Sequence, residues 1–307
     1  MTWVRARLGH FFRAGVRYDG VAAGRLAAAV TYYAFFAAFA LALLSLAVLG
    51  YVLNDPGVMR DVQSYLGANL PRLDAEALRE ARGTVGMIAF VTLPITGLFW
   101  VDSLRSAIRA VWRLDEYPGN FFIRALVDLL VLVGLGILLA VSLALAFGTN
   151  ALVEWLLIDA AGADPGVTRW PLGVITFALG LAVNTLLSVA VLSGLPRLRM
   201  PLRRVIGPAL LIAVGLELLK TVGRFYVSQT EANPAYHVVA GAVGLLVFLN
   251  LLNQLILFAA ALTATSQVGR VTDLAAGPVP QPAIPVQHRR YLRRVPNPRV
   301  RSIRRAA

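Results

Sequence analysis

Two ionisable residues stand inside an otherwise apolar stretch. Glu217 and Lys220 interrupt the run VIGPALLIAVGLELLKTVG, from Val205 to Gly223. At i, i+3 spacing they share one helical face. At 1.5 Å per residue, Glu217 lies roughly 18 Å beyond Val205, which is membrane depth if the segment spans a bilayer. A carboxylate held in hydrocarbon is costly and marks a cavity, a proton relay or a substrate contact. The plainer alternative is a self-neutralising pair whose lysine stretches toward water. Asn184, Asn250, Asn253 and Gln254 are amides on other apolar stretches that could line a substrate path with Glu217 and Lys220. Their ordinary role is hydrogen bonding between helices. Pro94 with Gly97, and Pro208, can interrupt helical hydrogen bonds where a cavity allows it.

Other chemistry is excluded residue by residue. The chain has no cysteine, which removes disulfides, thiolate zinc sites and iron–sulfur clusters. Its three histidines, His10, His237 and His288, are far apart in the chain, so no metal site is expected. His237 has no Ser or Asp partner at a useful spacing for nucleophilic catalysis. There is no Walker-type loop, no dinucleotide fingerprint, no Gly-x-Ser-x-Gly and no His-Glu-x-x-His. No catalytic residue and no cofactor is assigned, and the chain is not expected to be an enzyme.

The elements that must position these residues follow from composition. Of 307 residues, 58% are hydrophobic and 15% charged, and the mean hydropathy is +0.70. Stretches 26–54, 83–101, 129–153, 170–196 and 232–269 carry no Asp, Glu, Lys or Arg, and 205–216 is a shorter run ended by Glu217. About 20 apolar residues cross roughly 30 Å of hydrocarbon as a helix, while lipid leaves an open sheet edge unpaired. The expected fold is all-α: a polytopic membrane protein with six transmembrane helices, near 26–53, 84–101, 125–149, 171–195, 205–224 and 238–264, and short amphipathic interfacial helices. Residues 1–25 form a basic N-terminal segment, 26–268 the membrane domain, and 269–307 a basic Pro/Arg-rich tail expected to lack fixed structure. The first apolar run is too long for a cleaved signal and reads as a retained helix.

Arginine placement orients the bundle, because basic residues near helix ends stay cytoplasmic. Arg5, Arg7, Arg13, Arg17 and Arg25 precede the first span; Arg105, Arg109, Arg113 and Arg124 follow the second; Arg197, Arg199, Arg203 and Arg204 follow the fourth; and the tail is rich in arginine. The opposite connections hold far fewer. Both termini are therefore expected on the cytoplasmic side. In VDSLRSAIRAVWRL, Val101, Leu104, Ile108, Val111 and Trp112 share one face, with Arg105, Arg109 and Arg113 on another. This pattern predicts a membrane-surface helix, with Trp112 at headgroup level and the arginines against anionic lipid phosphates; continuation of the second span as a solvated face is the alternative. Residues 56–82, broken at Pro71, are expected to form two short helices over the outer mouth. Asp128, one turn after Arg124, reads as its interfacial ion-pair partner. The tail fits anionic lipid or a topology signal better than nucleic acid, which is not expected as a partner.

The stretch LAAAVTYYAFFAAFALALLSL, with Tyr32 and Tyr33 followed by Phe35, Phe36 and Phe39, resembles the YihY and virulence factor BrkB family of bacterial inner-membrane proteins. Phe99 and Trp100 leading into the arginine-spaced segment, and the AAALTAT end of the last helix, are similar to it as well, over about residues 10–268. Two positions depart from the family pattern. Ala40 stands where a proline is common, and Ala259, Ala260 and Ala261 stand where the family has a Gly-Ala-Glu run, so a carboxylate role there does not transfer. The family has been labelled ribonuclease BN-like; that chemistry needs a His and Asp metal cluster, which this sequence lacks.

The resulting expectation is an inner-membrane protein that transports or exports a small molecule or lipid. The competing one is a non-transporting envelope or scaffold protein acting through lipid and partner contacts.

Overall fold

The computed structural model describes residues 2–52, 75–118, 120, 122–134, 136–137, 165–230 and 237–276. Residues 1–275 cluster as one compact unit; the second unit, 276–307, lies beyond the described residues after Ala276. Seven helices follow one another among the described residues: α1 (Thr2–Gly20), α2 (Ala23–Val52), α3 (Ala75–Trp112), α4 (122–134), α5 (Pro165–Val189), α6 (Leu202–Thr230) and α7 (His237–Thr265). Two short strands, β1 (Leu198–Arg199) and β2 (Thr272–Asp273), pair antiparallel beside the bundle.

Among the described residues, five helices are long and apolar enough to cross a membrane: Ala23–Ser45, Arg82–Trp112, Phe177–Gly194, Leu202–Gly223 and Val239–Thr265. The molecule is an all-α membrane protein. Of the sixth expected span, 125–149, the described part is helical at 122–134 and 136–137, and the remainder lies outside the described residues. So do residues 53–74, which hold most of the expected outer-mouth helices, and the tail from 277.

Three boundaries differ from the sequence expectation. The second span was expected to end near 101, yet α3 runs 38 residues to Trp112. Its roughly 57 Å outruns the hydrocarbon, because alanine and arginine are good helix formers and charge alone does not stop a helix. Residues 75–82 are accordingly the first turns of α3. Residues 269–275, expected to open an unstructured tail, instead include β2, whose Asp273 pairs with Arg109 of α3.

Packing explains which faces turn inward. Ala27, Val30, Ala34 and Ala37 recur at helical spacing on α2 and are buried, while Tyr32, Phe36 and Phe39 are exposed. Small residues let α2 approach α3 closely, and the aromatics remain for lipid. α7 packs against α1, α2, α3 and α6, and its end is enclosed: Leu257, Ala259, Ala260, Ala261, Leu262 and Thr263 are all buried. Ala259–Ala261 thus occupy a point where no larger side chain has room without rearrangement. The basic N-terminal segment is a docked helix: Ala14 is fully buried, and Phe11 and Tyr18 both contact the Phe258 ring of α7.

Candidate functional site

Polar side chains gather at two levels. The first is the arginine-rich end, where α3 stops. Arg113 adopts a left-handed φ of 58°, Leu114 N–H reaches back to the Arg109 carbonyl (3.0 Å) and Arg113 N–H to that of Ala110 (2.9 Å). This closure normally takes glycine. It turns the chain so that the loop carbonyls face back toward α3. Asn120 then starts α4, its side-chain oxygen accepting from Phe122 N–H at 2.9 Å, as a helix N-cap does.

Arg105 and Arg109 do not lie against lipid. Each is 1% exposed. Arg105 donates through Nε to Asp128 on α4 (2.9 Å), through Nη1 to the Glu116 carbonyl (3.1 Å), and through Nη2 to Asp102 one turn earlier. Arg109 donates through Nε to the Asp115 carbonyl (2.6 Å) and through Nη1 to the Pro196 carbonyl (2.9 Å). Its fork then grips Asp273 of β2 through Nη1 (3.0 Å) and Nη2 (2.7 Å). Such bidentate pairs are the strong ones, and burial of a guanidinium is tolerated only when charge and donors are matched this way. Asp128 therefore pairs with Arg105; Arg124, its expected partner, lies 3.8 Å from Asp102.

Trp112 also departs from the surface-helix expectation. The Trp112 ring is half-buried under the Arg204 guanidinium, 5.1 Å from centroid to Cζ; Arg113 is exposed. Arg204 itself donates to the carbonyls of Thr263 (2.8 Å) and Ala264 (3.3 Å), and His10 bonds the Leu262 carbonyl at 3.0 Å. Together they satisfy the carbonyls left open at the end of α7. A π-type turn at Ala190–Gly194 ends α5 and delivers Arg197, with φ 58°, beside this network. Two of its nitrogens are buried without a hydrogen-bond partner among the described residues. Burial lowers its pKa below the ordinary arginine value, with Asp128 opposing that shift and Arg105, Arg109 and Arg124 adding to it.

The second level lies within the apolar span Leu202–Gly223. Glu217 Oε1 accepts from Asn184 Nδ2 of α5 (2.7 Å) and from Lys220 Nζ (2.9 Å). Its other carboxylate oxygen accepts nothing among the described residues. Asn184 is buried, whereas the side chains of Glu217 and Lys220 are 23% and 45% exposed. The i, i+3 pair thus forms, and one of the expected amides joins it. The others stand apart: Asn253 donates to Thr31 of α2 (3.0 Å), and Gln254 to Asn250 (2.5 Å). No hydrogen bond among the described residues links those amides to Glu217.

Among the described residues no group of three or more His, Asp or Glu is placed to hold a metal ion. The residues that sequence reasoning missed are Asp102, Asp273, Arg197 and Arg204. Asp102 three residues before Arg105, and Asp273 as the chain's last acidic residue, were the available signals.

Comparison with known proteins follows the same lines. The family model described as virulence factor BrkB matches residues 15–283. Inner membrane protein YhjD of Escherichia coli (strain K12) is 27% identical over 275 residues, which cover 85% of this chain and 81% of that protein. An uncharacterised protein of Dickeya dadantii (strain 3937) is 29% identical over 278 residues, 84% of this chain and 83% of its own. No solved structure matches.

Proposed function

The chain belongs to the virulence factor BrkB family, and we propose that it is a bacterial inner-membrane protein that moves a small molecule or a lipid across the bilayer. The observation carrying this reading is Glu217. Its place within the apolar span of α6, its hydrogen bond from buried Asn184, and its second oxygen without a partner among the described residues make it a carboxylate available to a cationic or hydroxyl-bearing group. The inner-membrane placement rests on likeness to YhjD. The distribution of arginines supports an orientation with both termini in the cytoplasm. The activity is non-enzymatic, and lipids are the expected neighbours of the exposed apolar belt.

A second reading has its own observation. Lys220 at 2.9 Å neutralises Glu217, which suits a non-transporting envelope scaffold whose buried polar groups only hold helices together. The two readings separate in cells. Solute and lipid export are compared among a deletion strain, the wild type and Glu217→Ala. Transport through this site requires Glu217→Ala to match the deletion while the protein level stays normal. If Glu217→Ala behaves as wild type and only removal of residues 277–307 abolishes function, the scaffold reading stands.

A further inference from the structure

The outward face of the strand pair carries charges that neither reading uses. In an antiparallel pair, opposed residues share a face and successive residues alternate. Leu198 is matched with Asp273, and Arg199 with Thr272. The first pair turns inward: Leu198 is buried, and Asp273 holds Arg109. The second therefore turns outward, and Arg270, two residues before Thr272, shares its side. Arg199, Arg270 and Thr272 are all exposed. With Met200, Pro201 and Gly269 they line a shallow cavity of about 360 Å3.

Its geometry is held from beneath. Gly269 has a φ of +69°, and a methyl there would collide with Pro201. The chain leaving α7 can thus turn tightly enough to set Arg270 against the start of α6. Neither Arg199 nor Arg270 is matched by a carboxylate among the described residues. α6 begins beside them with no acidic residue in its first turn, so the positive end of its dipole adds to the arginines instead of offsetting them. Leu202 and Ile206, the next residues on α6, are exposed apolar side chains of the span Leu202–Gly223. The cavity consequently sits at the height where hydrocarbon gives way to headgroups, with Met200 and Pro201 supplying an apolar side.

We propose that this cavity binds a phosphate group. Two unmatched guanidinium forks and a hydroxyl suit an anion with several acceptor oxygens, and the apolar side suits a group attached to an acyl glycerol. The phosphate belongs either to an anionic lipid headgroup or to a soluble phosphate; the chemistry is shared, and experiment separates the sources. This inference is independent of whether Glu217 serves transport.

The test uses the full-length protein in neutral detergent, titrated with short-chain phosphatidylglycerol, short-chain phosphatidylcholine and inorganic phosphate. Thermal shift gives apparent affinity, and native mass spectrometry gives retained lipid. The variants are Arg199→Gln with Arg270→Gln, and Arg25→Gln as an exposed arginine outside the cavity. Phosphatidylglycerol is expected to bind the wild type and Arg25→Gln equally, and the double variant at least about tenfold more weakly. Binding of phosphatidylglycerol alone assigns the lipid source. Binding of inorganic phosphate with the same dependence on both arginines assigns the soluble source. The proposal is overturned if no anionic probe binds, if the double variant binds as the wild type does, or if Arg25→Gln weakens binding equally.

Discussion

The two polar levels of this protein solve one problem in opposite ways. At the arginine-rich end, Arg105 and Arg109 are almost wholly buried, and their partners come from α3, α4, the loops at 115–116 and 196, and β2. Within the span Leu202–Gly223, two donors from two helices share one carboxylate oxygen of Glu217, and Lys220 is nearly half exposed. Closure of the first network ties four distant segments into one body. The second is left incomplete, which a purely structural polar contact does not require. Coupling at the arginine-rich end is thus built into the fold, whereas the mid-membrane group retains capacity for something else.

Removal of Arg109 is the hardest blow to this contrast. Arg109→Ala removes the bidentate guanidinium from Asp273 and the donor of two carbonyls, and breaking one partner of a buried pair costs roughly 3–5 kcal/mol. The expected outcome is loss of folded protein, read by denaturant unfolding in detergent. Arg109→Lys should rescue little, since an ammonium cannot reproduce the fork. A stable Arg109→Ala protein would mean that the network does not hold the bundle together. Next in size is Gly269→Ala, expected to cost about 1–3 kcal/mol from the left-handed backbone and the collision with Pro201. Hydrogen exchange should show it as selective opening of residues 266–276 with α7 still protected; global unfolding instead would enlarge the region that counts as one body. The smallest effect belongs to Asn184→Ala. Hydrogen bonds between helices in membranes average roughly 0.6 kcal/mol, so stability should scarcely move. A loss as large as that of Arg109→Ala would erase the distinction between the two levels.

How much of this was readable follows from distance along the chain. The Glu217–Lys220 pair was legible because three residues of helix always bring such side chains onto one face. Asn184 was legible as a buried amide, but its bond to Glu217 spans 33 residues and depends on how α5 and α6 rotate. Arg105 and Arg109 were misassigned for a related reason. Arginines four residues apart on an amphipathic helix look the same whether they meet lipid phosphates or buried carboxylates. The carboxylates that decide the matter lie 23 residues away for Asp128 and 164 for Asp273. Only Asp102, inside the same turn, was a local clue.

Composition and run length alone therefore determined the class: long charge-free stretches must become helices in lipid, since no other described arrangement of those runs satisfies their backbone groups. The family likeness over most of the chain was also carried by sequence pattern. Tertiary structure decided which charges are paid for by partners and which remain open, because a guanidinium's environment is fixed by groups brought in from elsewhere. It also decided that the chain after α7 returns to pair with β1, since Gly269 permits the turn and Asp273 finds Arg109 at its end.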